Sequence, residues 1–168
     1  ETWYRFAPMV ILLAQKALDS QSEAEDIGQE VFCRVFRKVK TLREPDSLRC
    51  FIYGFAFRVL KTELRRKRLT AWLRFDRPEA VTSHGARTMD VESRDLLRRF
   101  QMLLGRLAPR EQLVFIMRRM EAMTVEEISA SMNISESTVK RMMSRASIRL
   151  SRWIDGDPGL AGFLGEAR

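Results

Sequence analysis

Five cations fall on one predicted helix near the C-terminus: Lys140, Arg141, Arg145, Arg149 and Arg152. Ammonium and guanidinium groups at helical spacing can meet nucleic-acid phosphates, and an Arg can fork onto a guanine edge. Ser135 is placed to cap that helix, and Glu136 suits the positive end of its dipole. Val139, Met143, Ala146 and Leu150 form its apolar stripe. A shorter helix precedes it. Thr124 and Glu127 have capping-box spacing, and Val125, Ile128 and Met132 repeat at helical intervals. Asn133 then suits the left-handed backbone of a sharp helix exit. Two short helices at a tight turn, the second cationic, predict a helix-turn-helix that enters a DNA major groove. A solvated hairpin in an ordinary helical bundle would show the same local pattern.

A second set of groups lies earlier in the chain. Arg58, Lys61, Arg65, Arg66, Lys67 and Arg68 stand against one acid, Glu63. Tyr53 and Phe57 are four residues apart on the same predicted helix, away from its apolar stripe. Exposed rings beside cations are what single-stranded nucleic acid needs, because bases stack on the rings while phosphates meet Lys and Arg. The alternative is that both rings pack against the first helix.

The elements that must carry these groups read as helical almost throughout, with no sustained period-two alternation. The pattern predicts helices over Trp3 to Leu18, Ser22 to Lys40 and Ser47 to Leu69. Ala24, Ile27, Val31, Val35 and Val39 face the core from the second helix, and Leu48, Phe51, Ile52, Phe55 and Val59 from the third. Pro45 and Asp46 break the chain between those two. Periodicity lapses from Thr70 to Ser93, around Pro78, Ser83 and Gly85, although Trp72, Leu73 and Phe75 are apolar enough to dock. Helical pattern resumes near Arg94, and Pro109 is well placed at the first turn of a helix reaching Glu121. The expected organisation is all-α: a helical domain at 1–69, a linker at 70–93, a second helical domain at 94–155 and a flexible tail at 156–168. Leu160, Phe163 and Leu164 could dock that Gly-rich tail.

Composition narrows the classes. The 168 residues carry a formal charge of +8 and a pI near 10.2, which fits a nucleic-acid binder. An anionic membrane surface or an acidic protein would satisfy the same charge. The longest apolar run, Met9 to Ala14, is too short to span a bilayer, so no membrane insertion is expected. No secretory signal is evident, and Glu1 in place of an initiator Met is expected for a trimmed N-terminus. Cys33 and Cys50 lack metal-site spacing and have only His84 for company, so they read as core or surface thiols. One linker His and no clustered nucleophile or carboxylate pair argue against an enzyme. No catalytic residue, metal or cofactor is expected.

The ordered set of segments resembles bacterial RNA polymerase sigma factors of the extracytoplasmic-function type, group 4 of the sigma-70 family. Ser22 to Phe32 (SEAEDIGQEVF) is similar to that family's region 2.2 pattern D-A-E-D-L-V-Q-E-T-F. Leu48 to Arg58 (LRCFIYGFAFR) is similar to F-R-x-W-L-Y-R-I-A-x-N, and the expected basic run follows. Leu107 to Glu111, the helix-turn-helix and Ser137 to Arg141 resemble region 4. Phe51 replaces the usual Trp, Arg58 the usual Asn, and Gly28 and Gly54 sit inside helices.

The resemblance implies a two-domain initiation factor, region 2 and region 4, acting on core RNA polymerase and promoter DNA in the bacterial cytoplasm. Asp26, Gln29 and Glu30, continued by Cys33 and Arg37, correspond to the family's polymerase-binding face. The loop from Thr41 to Ser47 corresponds to the −10 specificity loop, with Arg49, Tyr53, Phe57, Arg58 and Lys61 as candidates for −10 binding and melting. Lys140, Arg141, Ser144 and Arg145 match the positions that read the −35 element, and Arg149 and Arg152 are expected on phosphates. An anti-sigma factor, membrane-linked or soluble, is the expected regulatory partner. Two other classes remain: a stand-alone helix-turn-helix regulator, and a sigma mimic that titrates an anti-sigma factor.

Overall fold

The computed structural model describes residues 2–42, 44–74 and 91–160. Among these residues the chain forms seven α-helices and two short 3-10 turns, and no strand. The helices are α1 (Thr2–Leu18), α2 (Gln21–Lys38), α3 (Leu48–Arg74), α4 (Val91–Arg106), α5 (Pro109–Arg119), α6 (Val125–Met132) and α7 (Glu136–Asp155). The all-α expectation holds. Several ends differ from the periodic pattern. Helix α2 begins at Gln21, one residue before the expected Ser22, and Ser20 caps it by accepting from the Glu23 amide. Val39–Thr41 tightens into a 3-10 turn, which leaves Val39 on the surface instead of in the core. Helix α3 runs past Leu69 to Arg74, and α4 begins at Val91. His84, Phe75, Phe163 and Leu164 lie outside the described residues.

Ala7, Val10, Leu13 and Ala14 of α1, Ala24, Val31 and Val35 of α2, and Ile52, Ala56 and Val59 of α3 pack the first unit. The second unit closes around Leu103, Leu104 and Leu107 of α4 and the α4–α5 corner, with Ala146 and Leu150 of α7. Leu160 from the tail is buried there as well.

These units press on each other. Leu113, Ile116 and Met117 of α5, Met123, and Ile128 and Met132 of α6 join the core of α1–α3. Helix α3 is therefore apolar on two faces, as a helix buried on both sides must be. Tyr53, Phe57, Leu60 and Leu64 make the second stripe at spacings of four, three and four, and all are buried. Gly54 lies where α3 meets α6: a Cβ there would come 2.6 Å from the Ser131 carbonyl oxygen, so only glycine permits the observed approach. Gly28 packs against the Ile11 side chain of α1, which would have to shift to admit a Cβ.

Several polar contacts between the units fall on helix C-termini, whose last carbonyls lack partners in their own helix. Gln112 donates to the Ala17 carbonyl at 3.0 Å, ending α1. Arg68 donates to the carbonyls of Gly105 and Leu107 at the end of α4, and Lys16 to that of Met120 after α5. Burial lowers the pKa of Arg68, whose charge is met by these oxygens.

Candidate nucleic-acid interface

The helix-turn-helix forms as its residues predict. Thr124 and Glu127 make both bonds of the capping box, at 3.1 Å and 2.8 Å. Asn133 takes the left-handed conformation at φ 52°, and Ser135 accepts from the Thr138 amide to start α7. The turn is stitched from within: the Ser129 hydroxyl donates to the Ile134 carbonyl at 2.6 Å. Val139, Ala146 and Leu150 are buried, so the rotation of α7 is fixed and its opposite face points outward. Lys140, Arg141, Ser144 and Arg145 all lie on that exposed face. Arg141 and Arg145 make no ion pair among the described residues, while Lys140 lies 3.6 Å from Glu136 one turn earlier. Ile148 extends the stripe and is 57% exposed, an apolar member that the charge pattern did not pick out.

Arg149 is placed differently. Its guanidinium donates to Glu111 at 2.8 Å, and that carboxylate is almost wholly buried at the start of α5. A buried carboxylate must be paired to avoid its desolvation cost, so Arg149 ties α7 to α5 and is not a free cation. Arg152 is exposed.

The α3 surface departs further from expectation. Tyr53 is fully buried and Phe57 nearly so, which corrects the expectation of exposed stacking rings. The reason is the second unit: α5, α6 and their connection cover that face. The Tyr53 hydroxyl donates to Glu121 at 3.2 Å, and burial, then the Glu121 charge, raises its pKa well above that of a free phenol. Arg49 is bound across the interface to Glu127 at 2.8 Å and lies over the Tyr53 ring. Lys61 lies over Phe57 and is half-buried. Arg58 remains exposed, 4.4 Å from the Phe55 ring, and burial of part of the group together with the Arg34 charge lowers its pKa. The sequence reading missed the pairing of Lys16 with Glu121, because contacts across 105 positions leave no local pattern.

Beside Gly54 the units leave a cleft of about 350 Å³, lined by Leu42, Ser47, Cys50, Phe51, Arg58 and Ser131 among others. Its walls join the loop before α3 to the end of α6. On the far side of the first unit, Asp26, Gln29, Glu30, Cys33 and Arg37 are all exposed along α2. Glu30 pairs with Arg34 at 2.6 Å, and Phe36 is half-exposed alongside. Cys33 and Cys50 are free thiols. No helix among the described residues is long and apolar enough to cross a membrane.

Comparison with known proteins bears on both units. Residues 3–70 match the family model for sigma-70 region 2, and residues 97–150 match that for sigma-70, region 4. No curated protein matches the chain. Among solved structures, the chain is similar to the sigma factor RpoE, in its co-crystal structure with the anti-sigma factor NepR from Bartonella quintana. The TM-score is 0.72 over 93% of this chain and 96% of that one; at 18% identity the likeness is one of fold. With the models of region 2 and region 4 matched in order over most of its length, the chain belongs to the sigma-70 family.

Proposed function

We propose that this protein is an alternative sigma factor, which binds core RNA polymerase and directs promoter recognition and DNA opening at the start of transcription. The observation that carries it is the ordered presence of both regions, with an open cationic face on the recognition helix α7. In this reading residues 1–69 serve as region 2, 70–93 as linker and 94–155 as region 4. Lys140, Arg141, Ser144 and Arg145 enter the −35 major groove; their common exposed face supports that assignment. Arg152 meets phosphate. The exposed α2 stripe of Asp26, Gln29 and Glu30 binds the polymerase. Arg49, Tyr53, Phe57, Arg58 and Lys61 take the −10 strand once region 4 has moved away from α3. The protein has no catalytic step of its own, works inside the bacterial cell, and is held inactive by an anti-sigma factor. The complex of RpoE with NepR, a protein of similar fold, favours such a partner.

Co-elution of the purified chain with bacterial core polymerase tests the reading, run at moderate salt because non-specific basic adhesion weakens steeply as salt rises. Binding by the natural chain and loss in an Asp26→Arg/Gln29→Ala variant is the expected result. Duplex binding without any polymerase binding would instead make it a stand-alone helix-turn-helix regulator.

A further inference from the structure

A cation beside the cleft at Gly54 has no counter-charge among the described residues. On α3, Arg49 pairs with Glu127, Lys67 with Glu23, and Arg68 meets the carbonyls at the end of α4. Arg58 makes no ion pair among the described residues and rests instead 4.4 Å from the Phe55 ring. Phe55 packs edge-on against Phe51, with ring centroids 5.0 Å apart, so a pair of packed rings backs the guanidinium. Partial burial and the Arg34 charge both disfavour this cation. An anion docked on it would offset both, and a guanidinium matches a carboxylate with two parallel hydrogen bonds.

Arg58 also forms part of the wall of the 350 Å³ cleft. Leu42, Cys50 and Phe51 line it from the first unit and Ala130 from α6, with Asn133 among its few polar members. Small-molecule sites usually enclose ~300–1,000 Å³, mostly apolar, with a few placed polar groups. This cleft lies at the lower end of that range. A nucleic-acid strand needs a run of cations along its phosphates, whereas Arg58 is the one cation in the lining. The chemistry of the walls therefore suits one small molecule with an apolar body and a single negative head.

We propose that this cleft binds a small amphipathic carboxylate, with Arg58 forking onto the carboxylate and Leu42, Phe51 and Ala130 covering the apolar body. The site needs neither polymerase nor DNA, so it stands apart from the sigma-factor reading. Cys50 in the wall serves as a reporter, because a bound molecule shields its thiol. The probes are decanoate and indole-3-acetate, one body flexible and one aromatic, each run beside its neutral amide. Cys50 is labelled with a maleimide in a Cys33→Ser chain, and Cys33, exposed on the far side of the first unit, in a Cys50→Ser chain. Melting temperature is read in parallel, since a ligand of the folded state raises it.

At about ten times its Kd, one acid or both should slow Cys50 labelling about 10-fold and raise the melting temperature, with Cys33 labelling unchanged. Arg58→Gln should weaken the acids by about 10-fold and leave the amides as they were, because only the acids lose a charged partner. Ala130→Leu, at an exposed helix position, fills the cleft without touching a charge and should remove protection by every probe. Protection of Cys50 that survives Arg58→Gln would overturn the proposal, as would equal binding of acid and amide. Failure of both acids to protect Cys50 would do the same, and so would equal protection of Cys33, which marks general adhesion to a basic chain.

Discussion

The outer face of α7 and the region 4-facing side of α3 are both cationic helical surfaces, and the fold treats them in opposite ways. On α7 the cations point to water, because Val139, Ala146 and Leu150 turn the other side inward. On α3, Arg49 is paired with Glu127, Lys61 is half-buried over Phe57, and Tyr53 and Phe57 are sealed. A helix with one apolar stripe has one way to dock; a helix with two is covered twice. The difference teaches that charge composition alone does not mark an open nucleic-acid surface. What decides is whether the residues between the cations form a second apolar stripe.

The comparison breaks most visibly if the shared core is an illusion. Ile128 of α6 is fully buried in the core that also holds α1–α3. Ile128→Ala should cost about 2–5 kcal/mol, and hydrogen exchange should show protection falling in α1 and α3 as well as in α6. Protection lost in α5–α7 alone would mean that the two units unfold independently. On the open side, Arg145→Ala should weaken binding to a preferred duplex by about 1–3 kcal/mol while leaving binding to random duplex much less affected. Equal losses on both duplexes, measured by anisotropy, would reassign Arg145 to phosphate.

Smaller changes sharpen the contrast. Thr124 caps α6, the element that both supports the helix-turn-helix and covers Gly54. Thr124→Ala should therefore lower stability by about 1 kcal/mol, read from urea denaturation. Arg149 and Arg152 give the finest discrimination. Arg152→Ala should reduce the salt slope of duplex binding by about one, whereas Arg149→Ala should leave the slope unchanged and lower the melting temperature. A reduced slope for Arg149→Ala would show that DNA displaces Glu111 from it.

Much of region 4 was legible because its signals are local. A capping box spans the four residues Thr124 to Glu127, Asn133 sets a turn by its own conformational freedom, and Ser135 caps the helix that follows it. The face of α7 then follows from helical period alone. In region 2 the helices and most core positions were equally readable, and the α2 stripe from Asp26 to Arg37, proposed above to meet the polymerase, is exposed. The state of Tyr53 and Phe57 was not. The signal existed in the spacing of Tyr53, Phe57, Leu60 and Leu64, but a second stripe does not say which element will cover it.

The sequence by itself determined an all-α chain, its capped helices, the tight turn before α7 and the outward cations of that helix. Each of these depends on residues within one or two helical turns of one another. Only the tertiary structure decided that α6 lies against Gly54, that Glu121 and Glu127 find Lys16 and Arg49, and that Arg149 belongs to Glu111. Those contacts join residues 38 to 105 positions apart. They arise because two apolar faces, on α3 and on the α5–α6 layer, are buried most fully against each other, and the charges beside them are brought within reach by that packing.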